Sequence, residues 1–172
     1  MLSLLYCTDP FLNKIAEPVT DFDNSLKELI EELFEVMDAN GGVGLAAPQV
    51  GINKRIFVVD TRNKGERLAF INPEILATSD DSIPYEEGCL SIPGVYRVIK
   101  RPGSVELSYK TPNGKSDIIK ANGLLARVIQ HENDHLNGKL FISHLGDEEM
   151  QKSIREFRKK NKQLLKRLNV GL

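Results

Sequence analysis

Residues 123–136 read Gly123-Leu124-Leu125-Ala126-Arg127-Val128-Ile129-Gln130-His131-Glu132-Asn133-Asp134-His135-Leu136. Leu124, Val128, His131 and His135 fall at i, i+4, i+7 and i+11. They share one face of a predicted helix that ends at Asn137-Gly138. That face begins apolar and finishes with two imidazoles. Buried imidazoles need partners, and a pair at i, i+4 can reach one metal ion. Glu132 sits about 100° round the helix from His131, close enough to touch a metal-bound water without ligating. A lone histidine on an apolar face reads as a core residue. Two flanking a glutamate in the pattern HExxH read as a metal site.

A catalytic metal site usually takes three protein ligands and leaves one position open. His144 follows the helix closely and is one candidate for the third. Cys89 is the other, in Glu87-Gly88-Cys89-Leu90-Ser91. The preceding glycine lets the backbone come close, and a thiolate binds Zn2+ or Fe2+ strongly. Cys7 stands near the start without such a context and reads as structural. Two cysteines make no disulfide framework, which suggests a cytoplasmic protein with reduced thiols.

Outward from this helix the pattern alternates between helix and strand. Ser25 to Ala39 is predicted as a helix, with Ser25 and Glu28 as a capping box and Leu26, Leu29, Ile30, Leu33, Phe34 and Met37 along one face. Asn40-Gly41-Gly42 ends it. The glycine-rich segment 41–51 lacks the spacing of a phosphate loop and reads as a turn where backbones approach closely. Gln49 within it carries an amide N–H able to donate to an anionic oxygen; by itself it reads as an ordinary turn residue. Arg55 to Asp60, Leu68 to Ile71 and Ser104 to Tyr109 read as strands. Thr111-Pro112-Asn113-Gly114 turns the chain into a return strand over Lys115 to Lys120. A last helix begins near Asp147, with Met150, Ile154, Phe157, Leu164 and Leu168 on its apolar side. The fold class expected is α+β: a mostly antiparallel sheet packed around the HExxH helix, with N-terminal and C-terminal helices.

The 172 residues suit one metallohydrolase domain over 1–172, with 147–172 a basic C-terminal helix. Hydrophobic residues are 41% and charged residues 27%, which excludes a disordered chain. No apolar run approaches a membrane span. Residues 152 to 167 hold eight Lys/Arg against one Glu, a net of +7 in a chain whose total is −1. A basic tail on an acidic body suits a polyanionic partner, or merely a solvated helix face.

Three motifs, in this order and spacing, resemble the peptide deformylase family: Gly42-Val43-Gly44-Leu45-Ala46-Ala47-Pro48-Gln49, Glu87-Gly88-Cys89-Leu90-Ser91 and Gln130-His131-Glu132-Asn133-Asp134-His135. Gly123-Leu124-Leu125-Ala126 and Leu136-Asn137-Gly138-Lys139-Leu140-Phe141 extend the resemblance over nearly the whole chain, which looks most like the bacterial type with a helical C-terminus. One departure is visible: Asn133 stands where the family usually has an apolar residue. It lies about 200° from His131, so the departure bears on packing and leaves ligation intact.

The resemblance implies a hydrolase that removes the formyl group from the N-terminal formyl-methionine of nascent polypeptides, releasing formate. It implies one divalent ion held by Cys89, His131 and His135, Fe2+ natively, with Zn2+, Ni2+ or Co2+ able to substitute. Glu132 then serves as general base and acid, while the Gln49 amide and the Leu90 N–H stabilise the oxyanion. Val43, Leu124 and Val128 are placed to line a methionine pocket, and Gly44 and Gly88 to meet the peptide backbone. The basic helix, through Lys152, Arg155, Arg158, Lys159, Lys160, Lys162, Lys166 and Arg167, is expected to dock on the ribosome. No membrane and no DNA partner is expected. The rival readings are a zinc metallopeptidase, a structural metal protein and an RNA-binding module.

Overall fold

A computed structural model describes residues 2–169. The first long helix, α1, is Asn24–Ala39. Its N-cap is Asp23 rather than Ser25: the Asp23 carboxylate accepts from Leu26 N at 3.0 Å, and Ser25 Oγ itself donates to Asp23 at 2.7 Å. An acceptor-only carboxylate suits the free N–H groups and the positive end of the helix better than a hydroxyl does. Leu26, Ile30, Leu33, Phe34 and Met37 are buried, and Gly41, at φ +67°, turns the chain away.

Five strands form one antiparallel sheet in the order β1 (Gly44–Ala46), β2 (Ile56–Asp60), β3 (Arg67–Thr78), β6 (Ser104–Lys110), β7 (Ser116–Asn122). The apolar run in β2 is buried along its whole length because the sheet is covered on both faces. Phe57 and Val59 join one core cluster with Phe70, Leu107 and Ile129; Ile56 and Val58 join another with Leu33, Phe34 and Met37 of α1. Strand β3 outruns the expected Leu68 to Ile71. A register shift between Ile71 and Glu74 absorbs Asn72 (φ +49°) and Pro73, which a regular ladder would reject.

A second, two-stranded sheet pairs β4 (Ile83–Glu87) with β5 (Arg97–Arg101). Sequence patterning did not announce it. Only Glu87, Ile99 and Arg101 are buried on it, so it has no apolar alternation to read.

The helix α2 spans Gly123–Leu136, as its sequence predicts, and is buried along nearly all its length. The C-terminal helix does not run unbroken. It divides into α3 (Asp147–Lys160) and α4 (Lys162–Arg167) at Asn161, whose Nδ2 donates to Pro93 O and Phe157 O, both at 2.9 Å. The break changes the helical phase: Phe157 and Leu165 are fully buried, whereas Leu168, expected on the apolar side, is 47% exposed. The expected helical residues 170–172 lie outside the described residues. Among the described residues no helix is long and apolar enough to cross a membrane.

Candidate metal centre

The turn after β4 and the helix α2 meet here. Cys89 follows β4 in a turn closed by Ile92 N donating to Cys89 O at 2.9 Å. His131 and His135 come from α2. The Cys89 sulfur and the two imidazole nitrogens lie within 4.8 Å of one another, with Cys89 Sγ 3.4 Å from His135 Nε2. The sequence left the third ligand open between Cys89 and His144, and the fold brings only Cys89. His144 lies outside this cluster, with Nε2 2.7 Å from Asp134 Oδ2.

The donors are prepared as ligands. His131 Nδ1 donates to Glu87 Oε1 at 2.8 Å, which fixes the ring and reserves Nε2 as the nitrogen for a metal ion. Burial, with the charge of His131, holds the His135 imidazole well below its ordinary pKa and therefore neutral. Soft sulfur and imidazole nitrogen together suit Fe2+ or Zn2+.

Glu87 is the anchor that sequence reasoning left without a role. Its carboxylate accepts from Arg101 Nε at 2.7 Å and Nη2 at 3.1 Å, and from Arg127 Nη1 at 2.8 Å. Burial opposes its ionisation, yet hydrogen bonds from His131 and Arg101 win and hold it well below the usual carboxylate range. Arg101 Nη1 donates onward to Asp134 Oδ2 at 2.8 Å. One signal could have exposed this network. Arg127 lies four residues before His131 on the same helix, and a guanidinium within an apolar stripe requires a buried anion.

Glu132 is buried, and its Oε2 has no hydrogen-bond partner. Burial pushes its carboxyl up to about 7, against the opposing charge of His131. Such a group can take up and release a proton near neutrality. Space for it is made by Gly44: a Cβ there would stand 2.5 Å from Glu132 Oε1 and 2.7 Å from Val128 Cγ1. Gln49, also buried, is oriented by Ala46 N donating to its Oε1 at 2.9 Å. Its Nε2 therefore points the other way, to Ser91 Oγ at 3.1 Å and Cys89 Sγ at 3.5 Å.

A cavity of about 630 Å³ opens on this centre. Val43, Gly44, Gly88, Leu124 and Val128, the residues expected to meet substrate, all border it, as do Gln49, Leu90 and Glu132. Val128 is buried, while Val43 and Leu124 stand half-exposed at 39% each, so Leu124 belongs to the cavity's edge and not to the core. Asn133 is buried and its Oδ1 is unpartnered.

Comparison with known proteins adds an independent line. The family model described as polypeptide deformylase matches residues 1–151. A peptide deformylase of Treponema pallidum is 45% identical over 156 residues, covering 91% of this chain and 95% of that one. One from Cellvibrio japonicus is 41% identical over 163 residues, covering 94% and 96%. Among solved structures, a peptide deformylase from Legionella pneumophila superposes with a TM-score of 0.90 at 40% identity, covering 95% of this chain and 97% of that one. One from Synechococcus elongatus, solved with actinonin, gives 0.85 at 43% identity, covering 90% and 86%.

Proposed function

The chain belongs to the polypeptide deformylase family, and on that premise we propose how its residues remove the formyl group from N-formyl-methionyl peptides. One observation carries the reading. Cys89, His131 and His135 present three ligand atoms within 4.8 Å, and beside them the buried carboxylate of Glu132 has an unpartnered oxygen. A divalent ion held by those three side chains supplies a Lewis acid that lowers the pKa of water towards 7 and polarises a carbonyl.

The chain's own groups do the rest. Glu132 accepts a proton from the attacking water as the water oxygen bonds to the formyl carbon. The Gln49 amide and the Leu90 N–H donate to the formyl oxygen as it becomes negative. Glu132 then delivers its proton to the amine nitrogen as the C–N bond breaks, leaving formate and a free α-amine. Val128 and Leu124 receive the methionine side chain, and the backbones at Gly44 and Gly88 flank the extended peptide. Among the described residues strand β1 pairs only with β2, which leaves Gly44 on its other edge for such a partner.

Fe2+ is proposed as the native ion, from the soft donor set, in a cytoplasmic enzyme. Ribosome docking is proposed through exposed lysines and arginines of α3 and α4. Two of them are engaged within the chain: Lys160 Nζ donates to Gly94 O and to Glu156 at 2.7 Å and 2.6 Å, and Lys152 Nζ to Glu149 at 3.3 Å. Truncation after Gly146 would strip Phe157 and Leu165 from the core. The sounder test reverses the charge of Lys152, Lys159, Lys162 and Lys166 and measures ribosome co-sedimentation; unchanged binding removes the docking proposal.

The activity itself is tested by formate release from formyl-Met-Ala-Ser, with unformylated peptide as control. Anaerobically purified protein with its metal quantified is compared with Glu132→Ala. Release by wild type and near-silence in a metal-retaining variant is expected. No release from metal-loaded wild type overturns the reading.

A further inference from the structure

Among the described residues, three that are not glycine have a positive φ: Arg62, Asn72 and Asn169. Asparagine tolerates that region, whereas arginine at φ +69° is held there against steric strain. Four polar contacts converge on this residue, in the turn between β2 and β3. Arg62 N donates to Asp60 Oδ1 at 2.8 Å, and its Nη1 to Asp60 Oδ2 at 3.1 Å. Its Nη2 lies 2.9 Å from Asp38 Oδ1 of α1 and donates to Gly42 O at 3.2 Å.

The bond to Gly42 reaches the cavity wall. Gly41, Gly42 and Gly44 fill three of the four positions 41–44, a stretch with few side chains to pack and much backbone freedom to lose. Gly44 is fixed by the sheet, where it pairs with Val59, and Val43 O accepts from Asp60 N at 2.9 Å. Gly42 precedes the strand. Its N–H donates to Met37 O at 2.9 Å, and its carbonyl accepts from Arg62. A Cβ on Gly42 would stand 2.8 Å from Leu90 Cδ1, and Gly42, Val43, Gly44 and Leu90 all border the cavity. Arg62 does not border it. Its guanidinium grips the strip from outside.

We propose that Arg62 is a positioning residue for deformylation: it pins the Gly42 carbonyl and so presets the Gly42–Gly44 strip along which the substrate backbone lies. This rests on the deformylase reading above. A loose strip must be ordered when the peptide arrives, and that cost falls on binding. Glu132 meets the strip at Gly44, which the ladder holds without Arg62, so proton transfer is spared. The side chain is 52% exposed, and exposed ion pairs add little to stability. Arg67 donates to Asp60 Oδ2 at 2.8 Å and to Asp38 Oδ2 at 3.1 Å, so both carboxylates keep a cation when Arg62 is replaced. Lysine offers one point charge where the guanidinium fork meets two carboxylates and a carbonyl.

The test measures kcat and KM for formyl-Met-Ala-Ser with metal-loaded wild type, Arg62→Ala, Arg62→Lys and Arg62→Gly, together with metal content and urea unfolding. Arg62→Ala is expected to raise KM about three- to tenfold, the range for ordering one group at an interface. Its kcat stays within about twofold and its metal is retained. Arg62→Lys recovers part of the loss. Arg62→Gly separates positioning from stability. Glycine relieves the strain at φ +69°, so its urea midpoint should stand above that of Arg62→Ala while its KM stays as high. An unchanged KM in Arg62→Ala, or a KM that merely follows the urea midpoint across the variants, overturns the inference. A loss of kcat with KM unaltered overturns it as well. Absence of formate with metal-loaded wild type is a separate result, which overturns the deformylase reading and this inference with it.

Discussion

His131 Nδ1 donates to Glu87 Oε1 across 2.8 Å, and both groups are buried. One carboxylate thereby orients an imidazole of the candidate metal centre while it neutralises Arg101 and Arg127. Replacing it tests both duties. Glu87→Gln is expected to lower metal affinity by about 10- to 100-fold, the usual cost of losing a partner of a ligating histidine. It also leaves the buried guanidinium of Arg127 without a counter-charge and Arg101 with Asp134 alone, a loss of about 3–5 kcal/mol. Chelator competition and urea unfolding measure the two effects separately.

The same carboxylate dictates an acid limit. Buried Glu87 and half-buried Asp134 both lie against cations and hydrogen-bond donors, and both are held below their ordinary range. Carboxyls whose folded pKa is depressed contribute stability that is complete above the unfolded value and lost as pH falls through the folded one. The part of the urea midpoint that these two carboxyls contribute in the metal-free protein should therefore hold from pH 7 to about 5 and drop steadily below about 4. In Glu87→Gln the drop should be shallower.

Glu132 has the opposite sign. Its folded pKa is raised from 4.5 to about 7 by burial, so the metal-free protein should lose stability as pH rises between those values. Glu132→Gln removes that loss. At pH 8 the variant should be more stable than wild type, by on the order of 3 kcal/mol, and at pH 4 the gain should vanish. Its deformylation rate should fall by about 10² to 10⁴, the worth of a general acid–base group. Stability gained and activity lost in one substitution would mark a group kept for chemistry.

Asn133 offers a gain without that trade. Its Oδ1 is buried and unpartnered, and an unsatisfied buried acceptor costs about 1–3 kcal/mol. Asn133→Leu should raise the thermal midpoint, with kcat/KM within about twofold of wild type, since Asn133 is not among the residues that border the cavity.

Gly44 should tolerate no side chain. In Gly44→Ala the new methyl must displace Glu132 or Val128. Overpacking of this kind costs about 1–3 kcal/mol, and a shifted Glu132 should lower kcat by more than the stability loss accounts for. Comparing kcat with the unfolding free energy separates the two.

Local periodicity made much of this protein legible. The bounds of α2, the pairing of His131 with His135, the apolar face of α1 and the hairpin at Asn113-Gly114 all follow from interactions within a few residues. The Ser25 cap was misplaced because Asp23, two residues earlier, competes for the same N–H groups. The unbroken C-terminal helix failed at Asn161, where a side-chain bond to a carbonyl 68 residues away prevailed over helical continuity. Strands β4 and β5 escaped notice because charged partners hold them where an apolar pattern would be expected.

By itself, then, the sequence determined the helix that carries His131, Glu132 and His135, and the α+β class, since each depends on a repeat of two or 3.6 residues written into neighbouring side chains. Tertiary structure alone decided between Cys89 and His144 as the third donor, built the Glu87–Arg101–Arg127 anchor and set Tyr96 over Gly88. Those are contacts between residues 8 to 46 positions apart. No local repeat encodes them, because they exist only once chain folding has brought buried charges together and each has found the partner that offsets its desolvation.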